Sequence, residues 1–151
     1  MRSATITTGP ATNLVETDTS TRFLPNRLVD YARLLIDSPH PDVAGTWPRV
    51  SAVLGRQALE ITLSRFWLVA EPGVEDASMR AQLLCLSEYL APRLVTRVRY
   101  AWHGFSAACH HHAYELPPMS TEIKGWLNDV DAFIKTCDAV VAKQTPPSRN
   151  C

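Results

Sequence analysis

Long apolar runs are absent from the 151-residue sequence, and no stretch approaches the roughly 20 apolar residues that a membrane-spanning helix needs. The N-terminus lacks the apolar segment of a signal peptide. The formal net charge is zero, which argues against a protein that coats polyanions with its whole surface but permits a local basic patch. These absences predict a cytoplasmic protein without a membrane partner.

Paired cysteines and several familiar site motifs are absent as well. The four cysteines, Cys85, Cys109, Cys137 and Cys151, form no Cys-x-x-Cys pair, and three of them fall in helical patterns where a free thiol packs as a small apolar group. The sequence contains no Gly-rich phosphate loop, no Gly-x-Ser-x-Gly turn and no His-Glu-x-x-His. We therefore expect no cofactor and no metal.

The apolar pattern predicts one all-α domain, an up-and-down bundle of four to five helices over residues 21–143. Apolar residues recur at i, i+4, i+7 and i+11 in separate segments, and no strand pattern occurs between them. The Ser- and Thr-rich residues 1–20 are predicted to form a disordered tail, and residues 144–151 a loose one. The predicted helices span 23–37, 49–70, 77–91, 93–112 and 119–143.

Three details of this helix pattern are specific enough to test. The first helix is expected to bury a stripe of Leu24, Leu28, Tyr31 and Leu35. The second is apolar most of the way round, which predicts a central position in the bundle. Asp76 is expected to cap the third helix, and Ser120 the last one.

The stretch 92–112 differs from the rest of the chain in its polar residues. It holds three of the twelve arginines and four of the five histidines, and no acidic residue. At helical spacing its side chains divide into two faces. The polar face comprises Thr96, Arg99, His103, Ser106 and His110, and the apolar face Leu94, Val98, Ala101, Phe105 and Ala108. One helix is thus predicted to bury one side and present cationic, titratable groups on the other.

A metal site on this helix is disfavoured by the spacing of its histidines. His110, His111 and His112 are consecutive, so they point about 100° apart on a helix. His103 and His110 lie two turns apart, about 10 Å along the axis. Ser106 lies one turn from both of these histidines, but no carboxylate at a suitable spacing orients them for nucleophilic catalysis.

Cleavage of RNA without a metal is the chemistry that these residue types fit best. It requires a proton carrier for the ribose hydroxyl and a cation for the charge on phosphorus. Histidine titrates near neutral pH, and arginine is a permanent planar cation. Arg97 and Arg99 precede His103 by one to two turns. The alternative is that the arginines are solvated surface residues and His103 is a hydrogen-bonded histidine at the edge of the core.

The run from Arg97 to His103, with five residues between them, resembles the Arg-x(4–6)-His motif of the HEPN superfamily. The run from Arg56 to Glu60 is similar to part of that family's second helix, and the resemblance extends over about residues 23–143. Many HEPN proteins are dimeric, metal-independent endoribonucleases of toxin–antitoxin or phage-defence systems, and others only bind RNA or proteins. The resemblance implies that Arg97 stabilises the phosphorane and His103 carries the proton.

The same resemblance implies further contacts and partners. Arg99, Ser106, His110 and His111 would contact RNA. The first hypothesis for function is an RNA-directed HEPN-like homodimer that acts as a metal-independent endoribonuclease. The alternative is a non-catalytic helical module for dimerisation or for binding a partner toxin or antitoxin.

Overall fold

Five α-helices make up most of the protein. The computed structural model describes residues 24–38, 41, 45–110 and 116–144, and no described residue lies in a β-strand. The helices are α1 (Pro25–Asp37), α2 (Trp47–Ala70), α3 (Met79–Cys85), α4 (Pro92–Cys109) and α5 (Ser120–Gln144). Short 3-10 turns, Val74–Asp76 and Leu86–Glu88, flank α3. The predicted all-α bundle is confirmed.

Helices α1, α2, α4 and α5 form a bundle in which successive long helices run in opposite directions. Helix α2 packs against the other three, while α1 and α4 lie diagonally opposite each other. Leu59, Leu63 and Phe66 of α2 are fully buried. The central position predicted for this helix is confirmed, because a helix with apolar residues on most sides buries the most surface in the middle of a bundle.

Prolines mark where three of the helices begin. Pro25, Pro48 and Pro92 each occupy the first turn of a helix, where the missing amide hydrogen has no intrahelical acceptor to lose. Gly73 follows α2 with a positive φ of 104°, a conformation that glycine adopts at little cost. These residues set the ends of the helices that carry the candidate site.

The continuous helix predicted over 77–91 is wrong. Helix α3 ends at Cys85 and continues only as a 3-10 turn. Its cap is Ser78, whose hydroxyl accepts a hydrogen bond from the Ala81 amide at 3.3 Å, while Asp76 lies in the preceding 3-10 turn. Pro92 disfavours helical dihedrals at Ala91, which has φ −56° and ψ 130°.

The buried stripe of α1 is also displaced from the predicted one. Leu28 is buried as expected, but Leu24 and Tyr31 are 38% and 44% exposed and Leu35 is half-buried. The buried residues are Pro25, Leu28, Val29, Ala32 and Ile36. Helix α1 packs against both α2 and α5, so its buried face points between these two helices. This shifts the buried stripe by one residue from the predicted one. Arg33 of α1 reaches α5, donating to the Asn128 side chain at 2.9 Å.

The other predicted boundaries differ by one to three residues. Ser120 is the first residue of α5 and not its cap, and the Glu122 carboxylate accepts a hydrogen bond from the Met119 amide at 2.8 Å. Helix α4 ends at Cys109, and residues 111–112 of the predicted helix lie outside the described residues, as do both predicted tails apart from Gln144. None of the described helices combines the length and the apolar character of a membrane span.

Candidate functional site

The five polar residues predicted to share a face of α4 do so. Thr96, Arg99, His103 and His110 are exposed and Ser106 is partly buried. We call this face the polar stripe. Val98, Ala101, Phe105 and Ala108 on the other side of the helix are buried in the core. Burial of the apolar face fixes the rotation of α4 about its own axis. This rotation turns the polar stripe towards solvent.

Arg97 lies on a different side of α4 from the polar stripe. Its Nε donates to the Asp129 carboxylate of α5 at 2.7 Å, and Nη2 contacts the same oxygen. His103 follows Arg97 by six positions, which places them about 120° apart around a helix. The two residues of the HEPN-like motif therefore do not converge within one protomer, and Arg99, one turn before His103, is the arginine on its face.

The flank of α4 that faces α5 makes a close contact with that helix at Gly104. A Cβ added to Gly104 would lie 2.5 Å from the ring of Trp126, and this ring packs edge-on against Phe105 with centroids 5.5 Å apart. Sequence reasoning missed Gly104, Trp126 and Asp129. For Gly104 the sequence does contain a signal, because a lone glycine within a strong helical pattern often marks the close approach of another group.

The flank that faces α2 brings charged and aromatic groups beside the polar stripe. Arg56 of α2 donates to Glu60 at 2.7 Å, and its guanidinium lies 5.8 Å from the ring centroid of Trp102. The hydrogen bond from Arg56 to Glu60 raises the pKa of this arginine, so it remains charged. The ring of Trp102 in turn contacts His103 edge-on, with centroids 5.2 Å apart.

A half-buried thiol lies at the end of the same flank. Burial raises the pKa of Cys109, and the positive charges of Arg56 and Arg49 act in the opposite direction. The thiol is therefore protonated near neutral pH, where a thiol is a weak nucleophile. This makes Cys109 a packing residue and not a reactive group of the site.

Two buried polar atoms near the polar stripe have no hydrogen-bond partner in the described part of the chain. They are the indole Nε1 of Trp102 and the hydroxyl oxygen of Ser106, one turn apart on α4. Buried polar groups without partners are uncommon in folded proteins. Neither atom is accessible at the surface, so the polar stripe presents neither of them to a ligand.

No protein-family model, no curated protein and no solved structure matches this chain. Within the described ranges, no group of three or more His, Cys, Asp or Glu side chains is placed to hold a metal ion. His111, predicted to contact RNA, lies outside the described residues.

The charge of the polar stripe decides which ligands it can attract. The α4 residues from 92 to 110 include no acidic side chain, and the nearby Glu60 is paired with Arg56. Arg99, His103 and His110 form no ion pair with any residue that the structure describes. Such a surface attracts anions, and an arginine fork matches the oxygens of a phosphate.

A second feature, an apolar groove, lies on the opposite flank between α4 and α5. It encloses about 670 Å³. Gly104, Ala107, Leu116, Met119 and Trp126 are among its lining residues. Leu116 is 95% exposed and Met119 66% exposed, so both present apolar surface to solvent. The two flanks of α4 thus offer different chemistry, cationic on one side and apolar on the other.

Proposed function

We propose that this protein is an HEPN-like, RNA-directed protein that binds RNA through the polar stripe of α4. The observation that supports the proposal most is the exposure of Arg99, His103 and His110 on one face with no acidic partner among the described residues. Phosphate contacts provide most of the affinity in sequence-independent binding of nucleic acids. A neutral protein with one local cationic stripe binds RNA there and not over its whole surface.

The proposal includes metal-independent cleavage with His103 as the proton carrier. The 2′-oxygen of the RNA bonds to phosphorus while the bond to the 5′-oxygen breaks. His103 accepts the proton of the 2′-hydroxyl, and the 5′-oxygen takes a proton from solvent. Arg99, one turn from His103, is the cation placed to stabilise the charge on the phosphate.

Arg97 is the other candidate for stabilising the charge on the phosphate. Mutation of each arginine in turn distinguishes their contributions to RNA binding. Because Arg97 is paired with Asp129, we expect Arg97→Ala to change RNA binding less than Arg99→Ala does. Arg27, an exposed arginine on α1, provides the matched control, since Arg27→Ala removes the same charge far from α4. Fluorescence anisotropy with a labelled single-stranded RNA measures all three affinities.

The cleavage assay uses the full chain with RNA and with DNA of the same sequence. His103→Ala is expected to lower the rate by about a hundredfold or more, since general acid–base catalysis contributes about 10²–10⁴. The product should carry a 2′,3′-cyclic phosphate, EDTA should have no effect, and DNA should resist because it lacks the nucleophile. Intact RNA under all conditions, or a His103→Ala variant as fast as the unchanged chain, would refute cleavage.

A second candidate function is a non-catalytic module that binds a partner protein, such as a toxin or antitoxin. The apolar groove between α4 and α5 favours it, because grooves of this kind accept the apolar face of a partner helix. If Arg99→Ala leaves RNA affinity unchanged relative to Arg27→Ala, this second function replaces the first.

A further inference from the structure

Tyr100 has the most exposed aromatic ring among the tyrosine, tryptophan and phenylalanine residues that the structure describes. It is 65% exposed, and no ring contact joins it to another described residue. It lies on α4 three residues before His103, and residues three apart are neighbours on a helix surface. Its ring is therefore placed between the polar stripe and the flank that faces α5.

A cavity of about 410 Å³ lies beside this ring, between α4 and α5. We call it the aromatic slot, because its walls include Tyr100 of α4 and Trp126 of α5, together with Gly125. The ring of Trp126 is held by Phe105, with centroids 5.5 Å apart, and by its close contact with Gly104. Nothing lies within 4 Å of the position that a Cβ on Gly125 would take. The slot thus has one fixed aromatic wall, one exposed aromatic wall and open space at the glycine.

We infer that the aromatic slot binds a nucleobase of the RNA whose phosphates contact the polar stripe. The inference rests on the proposed RNA binding and adds a subsite for the base. Cavities that bind small organic groups enclose roughly 300–1,000 Å³, so the slot has room for one base. Aromatic side chains stack on the bases of single strands with little regard to sequence, because every base has a flat π face.

The position of the slot fits the geometry of a nucleotide. Tyr100 follows Arg99 directly, and its Cβ lies about 5–6 Å from that of His103, as for any pair three residues apart on a helix. A base is joined to its phosphate through a single ribose, so the two ends of one nucleotide reach neighbouring sites. The phosphate lies on the polar stripe, and the base lies over the edge of α4 towards α5.

The charged groups of the slot suit a base better than a phosphate. Arg97 and Asp129 both line the slot and form an ion pair with each other. Glu122 also lines it, and its carboxylate accepts a hydrogen bond from the Met119 amide at 2.8 Å. A carboxylate repels a phosphate but accepts hydrogen bonds from the N–H groups at the edge of a base. The slot and the polar stripe therefore take different parts of the same nucleotide.

Affinity of the full chain for a labelled single-stranded RNA, measured by fluorescence anisotropy, tests the inference. Tyr100→Leu removes the ring but keeps an apolar side chain, and it should raise the dissociation constant by about fivefold or more, because stacking on the base is lost. Tyr100→Phe restores the ring and should retain most of the affinity. Tyr31→Leu is the matched control, since it removes a 44% exposed tyrosine from α1, which lies diagonally opposite α4.

Salt and strandedness distinguish stacking from a phosphate contact. Tyr100→Leu should lower the affinity without changing the slope of log affinity against log salt, because the slope reports the number of neutralised phosphates. Arg99→Ala should reduce that slope. Tyr100→Leu should leave the affinity for double-stranded RNA of the same sequence unchanged, because the paired and stacked bases of a duplex do not enter the slot.

Gly125→Leu tests the slot from α5. The new side chain fills the slot, so it should weaken binding of the single strand as Tyr100→Leu does. The variant should be at least as stable as the unchanged chain, because leucine favours a helix more than glycine does and its Cβ meets no neighbour within 4 Å. Urea denaturation followed by circular dichroism measures the stability. A loss of affinity without a loss of stability does not arise from misfolding.

Several results would overturn the inference while the proposed RNA binding stands. One is that Arg99→Ala weakens binding but Tyr100→Leu has no more effect than Tyr31→Leu. A smaller salt slope for Tyr100→Leu, or an equal loss of affinity for the duplex, would make this residue part of the phosphate site. Equal losses for Tyr100→Phe and Tyr100→Leu would assign the effect to the hydroxyl group. Full affinity of Gly125→Leu would place the base outside the slot. A chain that binds no RNA at all would remove both proposals.

Discussion

The two flanks of α4 have the same helical backbone but opposite environments. On the flank facing α5, Arg97 is paired with Asp129 and Gly104 touches the ring of Trp126. On the other side, Arg99 and His103 are exposed and have no ion-pair partner among the described residues. The arginine with the family-like spacing therefore serves the packing of the bundle, while Arg99, two residues further on, is exposed.

The largest expected effect concerns Phe105, which lies beneath both flanks. Phe105→Ala should lower the free energy of unfolding by about 3–5 kcal/mol, because it removes a fully buried ring that packs on Trp126. Urea denaturation followed by circular dichroism measures the change. Leu84→Ala, at an exposed site, serves as the control. An unmoved midpoint for Phe105→Ala would show that the two flanks share no core.

Alanine substitutions at Gly104 and at Gly125 should change the stability of the protein in opposite directions. Gly104→Ala should destabilise the protein by about 1–3 kcal/mol, because the new methyl group meets the ring of Trp126. Gly125→Ala should stabilise it by roughly 0.5–1 kcal/mol, since nothing lies within 4 Å of that position and alanine favours the helix. If both variants shift the thermal midpoint in the same direction, a methyl group added at Gly104 does not meet the ring of Trp126.

Arg97→Ala should lower the stability of the protein more than Arg99→Ala does, which is the reverse of the order expected for RNA binding. Arg97→Ala should cost up to about 1 kcal/mol, because its ion pair with Asp129 is largely exposed on the arginine side. Arg99→Ala should change stability by no more than roughly 0.5 kcal/mol, as expected for a surface residue. Chemical denaturation of both variants, run in parallel, measures the difference. Equal costs would mean that Arg99 also has a structural partner.

The smallest effect expected is on the salt dependence of RNA binding. If Arg99 contacts one phosphate, Arg99→Ala should reduce the slope of log affinity against log salt by about 0.7 for single-stranded RNA. Arg27→Ala should leave the slope unchanged. Anisotropy titrations at several salt concentrations supply the slopes. A slope for Arg99→Ala equal to that of the unchanged chain would remove this residue from the interface.

Helical periodicity was sufficient to predict the fold class and much of the candidate face. Of the apolar stripe that the period predicts for α5, Ile123, Leu127, Val130, Ile134 and Cys137 are buried and Val141 is partly buried. The division of α4 into a buried face and an exposed polar face follows from the same local rule. Prolines located the starts of three helices, because their backbone restriction is local too.

Contacts between helices could not be predicted in this way, since they join residues far apart in the chain. The pairing of Arg97 with Asp129 spans 32 positions, and no local rule predicts it. The shifted stripe of α1 depends likewise on its neighbours α2 and α5. The period of the helix sets which residues each helix presents on each of its faces. Which of these faces pack and which stay exposed depends on the helices that lie beside them, and this is fixed only when the bundle assembles.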